Sequence, residues 1–398
     1  MTMMAWCKVA PRSGGLRFAL KARTAHDAIA HSRHMNSYQK QSTSSQHTRE
    51  VLQRRASTLT MATMKAWQFT SATGGLDKNL YQPASGAPKP RPYDDQILVE
   101  VHSMALNPAD YKVPELGMIA RPMISMPAIP GMDFSGRVAE LGSKVDWARV
   151  GEMVYGTYTG SLGKGTLAQY VAVGREMVIG TPEGVDVDDA ATIGVAGLTA
   201  YQAVKPYVEE GKANKVFVNG GSGGTGVWTI QIAKALGCHV TASCSTANID
   251  LCKSLGADEV LDYKKEDIVE QLKASGEVFH LIVDNIGTPA NLYKASDAFL
   301  VPGGTFAQVG AGVGFAPAVQ IATSAFLPNF LGGGKNKYQM VICKTRFEEL
   351  GQLGKWMKEG KVKAVIDEKF AWEDAPMAFE KLKLGRTKGK IVVKVKSI

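Results

Sequence analysis

Cysteine is scarce in this sequence. Five residues in 398 (Cys7, Cys238, Cys244, Cys252, Cys343) include no CxxC pair. With no secretory apolar segment ahead of them, they read as free thiols of a reducing compartment, which excludes a disulfide framework. No uninterrupted run of about 18 apolar residues occurs, so no transmembrane span is expected. Acidic residues are nearly absent from the first 64 positions, which hold ten Lys/Arg against Asp27 and Glu50. The rest of the chain is balanced at 36 against 35, so +8 of the net charge of +9 belongs to the leader. A balanced body lacks the basic stripe that nucleic-acid binding requires. Histidine is sparse too: His102, His239 and His280, the three outside the leader, include no ligand-spaced pair, so each is expected to be structural.

The leader itself is informative. Lys8, Arg12, Arg17, Lys21, Arg23 and Arg33 lead through Ser42-Thr43-Ser44-Ser45 to Arg54-Arg55. This Arg- and Ser-rich, acid-poor composition is that of a mitochondrial transit peptide. The other reading is an unstructured tail ahead of a start at Met61 or Met64, in a cytoplasmic protein. On either reading residues 1–63 are set apart from the fold. At 45% hydrophobic and 21% charged over its 398 residues, the chain is ordinary for a globular enzyme, and its length implies about two domains.

Residues 64–187 carry short strand-like runs punctuated by Gly and Pro. Gln96–Val101, Phe134–Gly142, Val150–Gly156 and Leu167–Val173 suggest a small β-barrel-like unit. The pattern changes near Asp188. An Ala-rich helix from Ala190 to Val204 precedes the strand Lys215–Asn219 and a helix from Val227 to Leu236. Strands at His239–Ser243, Val260–Asp262, Leu281–Asp284 and Gly304–Gly310 follow. Strands alternating with helices predict a doubly wound parallel α/β sheet over 188–335. Helices over Arg346–Glu359 and Ala375–Leu384 and a closing strand from Gly389 to Val395 make up 336–398.

One segment speaks directly to chemistry. Asn219-Gly220-Gly221-Ser222-Gly223-Gly224-Thr225-Gly226-Val227 contains G-x-G-x-x-G at Gly221, Gly223 and Gly226, after a strand and opening a helix. Such a turn brings backbone N–H groups, with Ser222, Gly224, Thr225 and Val227 among them, to a dinucleotide pyrophosphate at a helix N-terminus. NAD sites place Asp or Glu about 20 residues further on. Here that stretch reads Ser243-Cys244-Ser245-Thr246-Ala247-Asn248, with no carboxylate before Asp250. Ser245, Thr246 and Asn248 offer donors suited to a 2′-phosphate, which favours NADP(H). No Arg or Lys stands beside them; Lys253, Lys264 or Lys265 are the available cations.

Residues from about 64 to 398 resemble the medium-chain dehydrogenase/reductase superfamily, closest to its zinc-free quinone oxidoreductase branch. That branch includes reticulon-interacting mitochondrial and chloroplast-envelope oxidoreductase-like members. The resemblance rests on Asn107-Pro108-Ala109-Asp110, Pro130-Gly131-Met132-Asp133-Phe134-Ser135-Gly136, Ala196-Gly197-Leu198-Thr199-Ala200-Tyr201, the glycine turn, Leu255–Tyr263 and Gly389-Lys390-Ile391-Val392-Val393. It implies a Rossmann-type sheet joined to a GroES-like β-barrel catalytic domain (64–187), completed by residues 336–398. Zinc alcohol dehydrogenases of the superfamily carry Gly-His-Glu where this chain has Gly131-Met132-Asp133, and Met132 is a poor zinc ligand. No metal is expected.

Hydride from NADPH to a small apolar carbonyl, enone or quinone is the activity implied. Without a metal, the charge that develops on an enolate oxygen needs hydrogen-bond donors. The resemblance places Asn107, Asp110, Tyr111 and Lys112 beside the nicotinamide, with Lys112 or Tyr111 as donor and Asn107 orienting substrate or ribose. It places Thr199 under the nicotinamide, with core packing as the other reading, and Tyr263 at the adenosine phosphate. Asn285, Gly287, Val309 and Gly310 end later sheet strands, where ligands of open α/β folds bind, and are expected along the nicotinamide ribose, with turn geometry as the other reading of the glycines. Asn107-Pro108 with Asp110 is also the signature of a simple capped turn. The apolar stretch Phe315–Phe330 reads as an interdomain or homodimer contact, a substrate lid, or a peripheral membrane contact. Two rival functions remain at this level: a non-catalytic NADPH-binding regulator on the same fold, and a zinc-type alcohol dehydrogenase relative.

Overall fold

β3 (Gln96–Ala105) follows two short paired strands, β1 (Thr63–Met64) and β2 (Ala87–Pro88), and is buried along almost its whole length. Ile97, Leu98, Val99 and Val101 lose all contact with solvent, so both faces are covered and the strand serves as a spine. Antiparallel to it run β4 (Asp133–Leu141) and β6 (Tyr170–Gly174), and β5 (Met153–Thr157) and β7 (Val178–Gly180) extend the sheet beyond β4. Phe69, Phe134, Leu167 and Phe379 are among the side chains that fill this unit. In this computed structural model residues 62–310 and 335–396 are described, with Val319 and Ala322–Ser324 between them. The leader and most of the apolar stretch Phe315–Phe330 therefore lie outside the described residues.

The second sheet is parallel throughout. Its strands are β8 (Lys215–Asn219), β9 (His239–Cys244), β10 (Glu259–Asp262), β11 (Phe279–Asp284), β12 (Leu300–Gln308) and β13 (Lys337–Met340). They lie in the order β10-β9-β8-β11-β12-β13. Val216, Phe217 and Val218 are fully buried, as a strand covered by helices on both faces requires. The helix Gly226–Ala235 packs directly behind β8 through Val227, Trp228 and Ile230. Strand order reverses between β8 and β11, which opens a crevice at their carboxyl ends.

The returning segment departs from the sequence expectation. The resemblance places residues 336–398 with the barrel unit, yet Lys337–Met340 pairs in parallel with β12 as the outer strand of the second sheet. The helix Phe347–Lys358 lies between the helix Gly194–Val204 and the barrel strand β7, and Tyr155 Oη donates to the Leu350 carbonyl at 2.7 Å. Leu350, Leu353 and Trp356 form one apolar stripe that packs with the helix Gly194–Val204, and Tyr201 and Trp356 meet at 5.8 Å between ring centroids. Apolar residues three apart make one face of a helix, and here that face is buried against a helix of the second unit and side chains of the barrel together. The chain re-enters the barrel at β14 (Ile366–Phe370) and β15 (Lys390–Lys394), the latter antiparallel to β3. No helix among the described residues is long and apolar enough to cross a membrane.

Candidate active site

A cleft of about 790 Å³ opens at the reversal point. The second sheet contributes the turn after β8, Ser245–Asn248 after β9, Tyr263 and Lys264 after β10, and Asn285 and Ile286 after β11. The barrel contributes Leu106–Pro108 and the loop Gly385–Lys390. Most of the residues expected at a cofactor site therefore come together, although the sequence spreads them over more than 170 positions.

The glycine turn is held from beneath by a polar network. Asn219 Nδ2 donates to Asp284 Oδ1 at 2.9 Å, Ser243 Oγ donates to Asn219 Oδ1 at 2.7 Å, and the Gly220 N–H donates to Ser243 Oγ at 3.0 Å. Burial pushes the Asp284 carboxyl up, against the N–H groups of Gly287 and Ile286 and the amides of Asn219 and Gln308, which favour the charge. The ends of β8, β9 and β11 are thus tied together directly under the cleft. Gly220 takes φ +78°, where a side chain would be strained, and a Cβ on Gly226 would overlap the Gly220 carbonyl oxygen. Gly223 and Gly224 line the cleft, where a Cβ on Gly223 would meet only the Gly220 carbonyl oxygen at 3.6 Å and one on Gly224 would come within 3.3 Å of the Gly389 carbonyl oxygen.

The far end is polar and uncharged except for one lysine. Asn248 Nδ2 donates to Ser222 Oγ at 3.0 Å and to Ser245 Oγ at 3.3 Å, while Asn248 Oδ1 is buried without a partner. Thr246 Oγ1 donates to Asp262 Oδ2 at 2.6 Å; that carboxylate, which also accepts from the Lys264 N–H, is held low and does not line the cleft. Tyr263 stands 47% exposed at the rim with the Lys264 ammonium 5.5 Å from its ring centroid. Of the three lysines offered by the sequence, Lys264 reaches the cleft and Lys253 and Lys265 do not.

At the barrel end, Asn107 caps the helix Pro108–Glu115, and the Asn107 N–H donates to Asp110 Oδ2 at 2.7 Å. The Asn107 side chain turns inward. Its Nδ2 donates to Asp133 Oδ2 at 2.8 Å, and its Oδ1 accepts from Lys390 Nζ at 2.6 Å. Lys390 Nζ also meets Asp133 Oδ2 at 3.2 Å, and Asp133 Oδ1 accepts from the Val195 N–H at 2.7 Å. Burial and the neighbouring Asp133 charge raise the Asp110 carboxyl to about 7, with the Asn107 N–H and Lys390 opposing them.

Several expected site residues stand behind the cleft. Tyr111 packs on the barrel core with the Lys383 ammonium 5.8 Å from its ring, and neither Tyr111 nor Lys112 lines the cleft. Thr199 Oγ1 donates to the Val195 carbonyl at 2.6 Å, Val227 is fully buried, and Gly287 and Gly310 donate their N–H groups to Asp284. Gly221 and Val309 are likewise outside the lining. Conversely, the sequence reading passed over Arg386, Thr387, Lys388 and Lys390, all of which line the cleft. A lysine opening the apolar strand Ile391-Val392-Val393 was the available signal.

Residues 93–183 match the family model described as an alcohol dehydrogenase GroES-like domain, and residues 255–393 match the one described as zinc-binding dehydrogenase. The trans-enoyl reductase pgmF of Aspergillus terreus is 42% identical over 347 residues, covering 84% of this chain and 97% of that protein. This chain belongs to the medium-chain dehydrogenase/reductase superfamily. A chloroplast envelope quinone oxidoreductase homolog of Arabidopsis thaliana is 32% identical over 343 residues, 83% of this chain and 98% of that protein. The solved quinone oxidoreductase from Coxiella burnetii superposes with a TM-score of 0.73 at 30% identity, covering 84% of this chain and all of that one. A medium-chain dehydrogenase/reductase is an oxidoreductase that uses NAD or NADP. The cleft fits such a group: an open glycine turn and partnerless buried polar atoms on Asn248, Asn285 and Thr387 border it.

Proposed function

We propose that this medium-chain reductase uses NADPH, without zinc, to deliver hydride to an enone, quinone or related conjugated carbonyl. The observation that carries the cofactor choice is the far end of the cleft. Hydroxyls, amides and the Lys264 ammonium line it, and no carboxylate does. A 2′-phosphate finds donors there in Ser245 and Lys264 and no carboxylate in the lining, Asp262 standing one hydrogen bond behind Thr246. Gly223, Gly224 and Thr225 would hold the pyrophosphate, Tyr263 would border the adenosine, and Asn285 would meet the nicotinamide side. Bound there, the cofactor supplies a hydride.

Zinc independence is supported by how Asp133 is used. Its carboxylate is spent on Asn107, Lys390 and the Val195 N–H, and among the described residues no three His, Cys, Asp or Glu side chains are grouped as a metal set. Hydride to a conjugated β-carbon leaves charge on an oxygen that a few donors can stabilise, whereas a simple ketone asks for a stronger electrophile. The relatives named as enoyl reductase and quinone oxidoreductase agree with that substrate class.

Titration of NADPH and NADH fluorescence, followed by substrate depletion across enones, quinones, aldehydes and simple ketones, tests the reading. We expect tight NADPH binding and turnover of conjugated acceptors only. Turnover of simple ketones alone overturns the substrate class. Tight binding with no turnover of any acceptor leaves the non-catalytic regulator.

A further inference from the structure

Lys390 is an expensive residue to keep where it stands. Its side chain is 3% exposed and its partner Asp133 is fully buried. Removing two charges from water costs several kcal/mol per ion, and an apolar pair of similar volume serves packing as well or better. The neighbouring positions Ile391, Val392 and Val393 show that the strand itself asks only for apolar side chains. A structural role alone therefore accounts poorly for a lysine there.

Its donors are unequally used. An ammonium carries three N–H bonds. One goes to Asn107 Oδ1 and one to Asp133 Oδ2, while the side chain still borders the cleft. Asn107, by contrast, has no side-chain donor left for a ligand: its Nδ2 hydrogens go to Asp133 and to the Ala105 carbonyl at 3.4 Å, and its Oδ1 already accepts from Lys390. Asp133 in turn is fixed by the Val195 N–H. The amide orientation of Asn107 is thereby determined, because only this rotamer gives Lys390 an acceptor and Asp133 a donor.

The lysine also lies against the phosphate turn. A Cβ on Gly224 would come within 3.6 Å of Lys390 Cδ and 3.3 Å of the Gly389 carbonyl oxygen, and the Gly389 N–H donates to Ser222 O at 2.9 Å. The strand that carries the ammonium is thus bonded to the turn.

We propose that Lys390, and not Asn107, is the residue of this motif pair that touches the bound dinucleotide, its third N–H donating to an oxygen of the cofactor, while Asn107 and Asp133 are positioning residues that aim it. This rests on the NADPH reading above. The sequence suggests the opposite assignment, since Asn107-Pro108-Ala109-Asp110 carries the recognisable motif.

The test is NADPH affinity by fluorescence titration, with melting curves as the folding control. Lys390→Met alone would leave Asp133 buried without its cation, so Lys390→Met/Asp133→Asn, which removes both charges, is the second variant. We expect either variant that melts as the wild type does to bind NADPH at least about tenfold more weakly, the loss typical of one charge-assisted hydrogen bond. Its affinity should also depend less on salt. Asn107→Ala should weaken NADPH binding by less than this and, like the Lys390 variants, make the affinity less dependent on salt, a change that a merely structural residue would not give. Unchanged affinity in a folded Lys390 variant overturns the proposal and leaves the NADPH reading intact. Failure of the wild type to bind either nucleotide overturns both. An Asn107→Ala loss larger than that of the double variant assigns the contact to Asn107 instead.

Discussion

Asp133 Oδ1 accepts a 2.7 Å hydrogen bond from the Val195 N–H, which fastens the first residue of β4 to the first turn of the helix Gly194–Val204. A carboxylate at a helix N-terminus gains from the helix dipole as well as from the bond. This contact joins the barrel to the second unit next to the cleft, one residue after Met132, which by resemblance stands where zinc-type relatives carry a ligand histidine.

It makes Gly194 a sensitive position. A Cβ there would overlap Asp133 Oδ1 and press on Thr157 Cβ at 3.1 Å. Gly194→Ala should destabilise the protein by about 1–3 kcal/mol through overpacking, despite alanine's better helix propensity. Urea denaturation followed by circular dichroism checks this; equal or greater stability in the variant would show that Asp133 has freedom to move.

Asp110 should set a pH dependence of stability. Burial raises its folded-state pKa from the ordinary 3.8 to about 7. The folded state therefore keeps a proton that the unfolded chain releases near pH 4. Its contribution is fully present below that point and lost as pH rises through about 7, an effect on the order of 4 kcal/mol at most. Asp110→Asn should remove this slope between pH 4 and 7. Parallel stability–pH curves for the two proteins would contradict the assignment.

Lys264 should account for part of the preference for NADPH. Lys264→Ala is expected to weaken NADPH roughly tenfold and to leave NADH nearly unchanged, as loss of one charge-assisted contact to a phosphate predicts. Ser245→Asp should erode the preference from the other side by placing a negative charge where the 2′-phosphate would lie. Isothermal titration with both nucleotides decides it, and an equal loss for NADPH and NADH in Lys264→Ala would place the lysine elsewhere on the cofactor.

Prolonged dialysis against a chelator should leave enone or quinone turnover unchanged. The ligand-poor surroundings of Met132 and the engaged carboxylate of Asp133 motivate this. Loss of activity restored by added zinc would reverse the reading.

The sequence alone determined the parts of this protein that rest on local physics. The glycine turn was legible because a strand, a close backbone approach and a helix start must follow one another within a dozen residues. The alternation after Asp188 was legible because buried parallel strands are short and continuously apolar. The absence of a carboxylate in Ser243–Asn248 was equally plain. Tertiary structure decided everything that depends on residues distant in the chain. Lys390 and Asn107 are 283 positions apart, and no periodicity announces that they bond. Lys337–Met340 looks like any short strand, and only the unpaired edge of β12 assigns it to the parallel sheet. Among three eligible lysines, the turn after β10 selects Lys264. Asn107 carries the visible motif, yet its side chain is consumed inside the protein. Hydrogen-bond partners are allotted only when the two sheets close on one another, and that closure is a property of the folded chain.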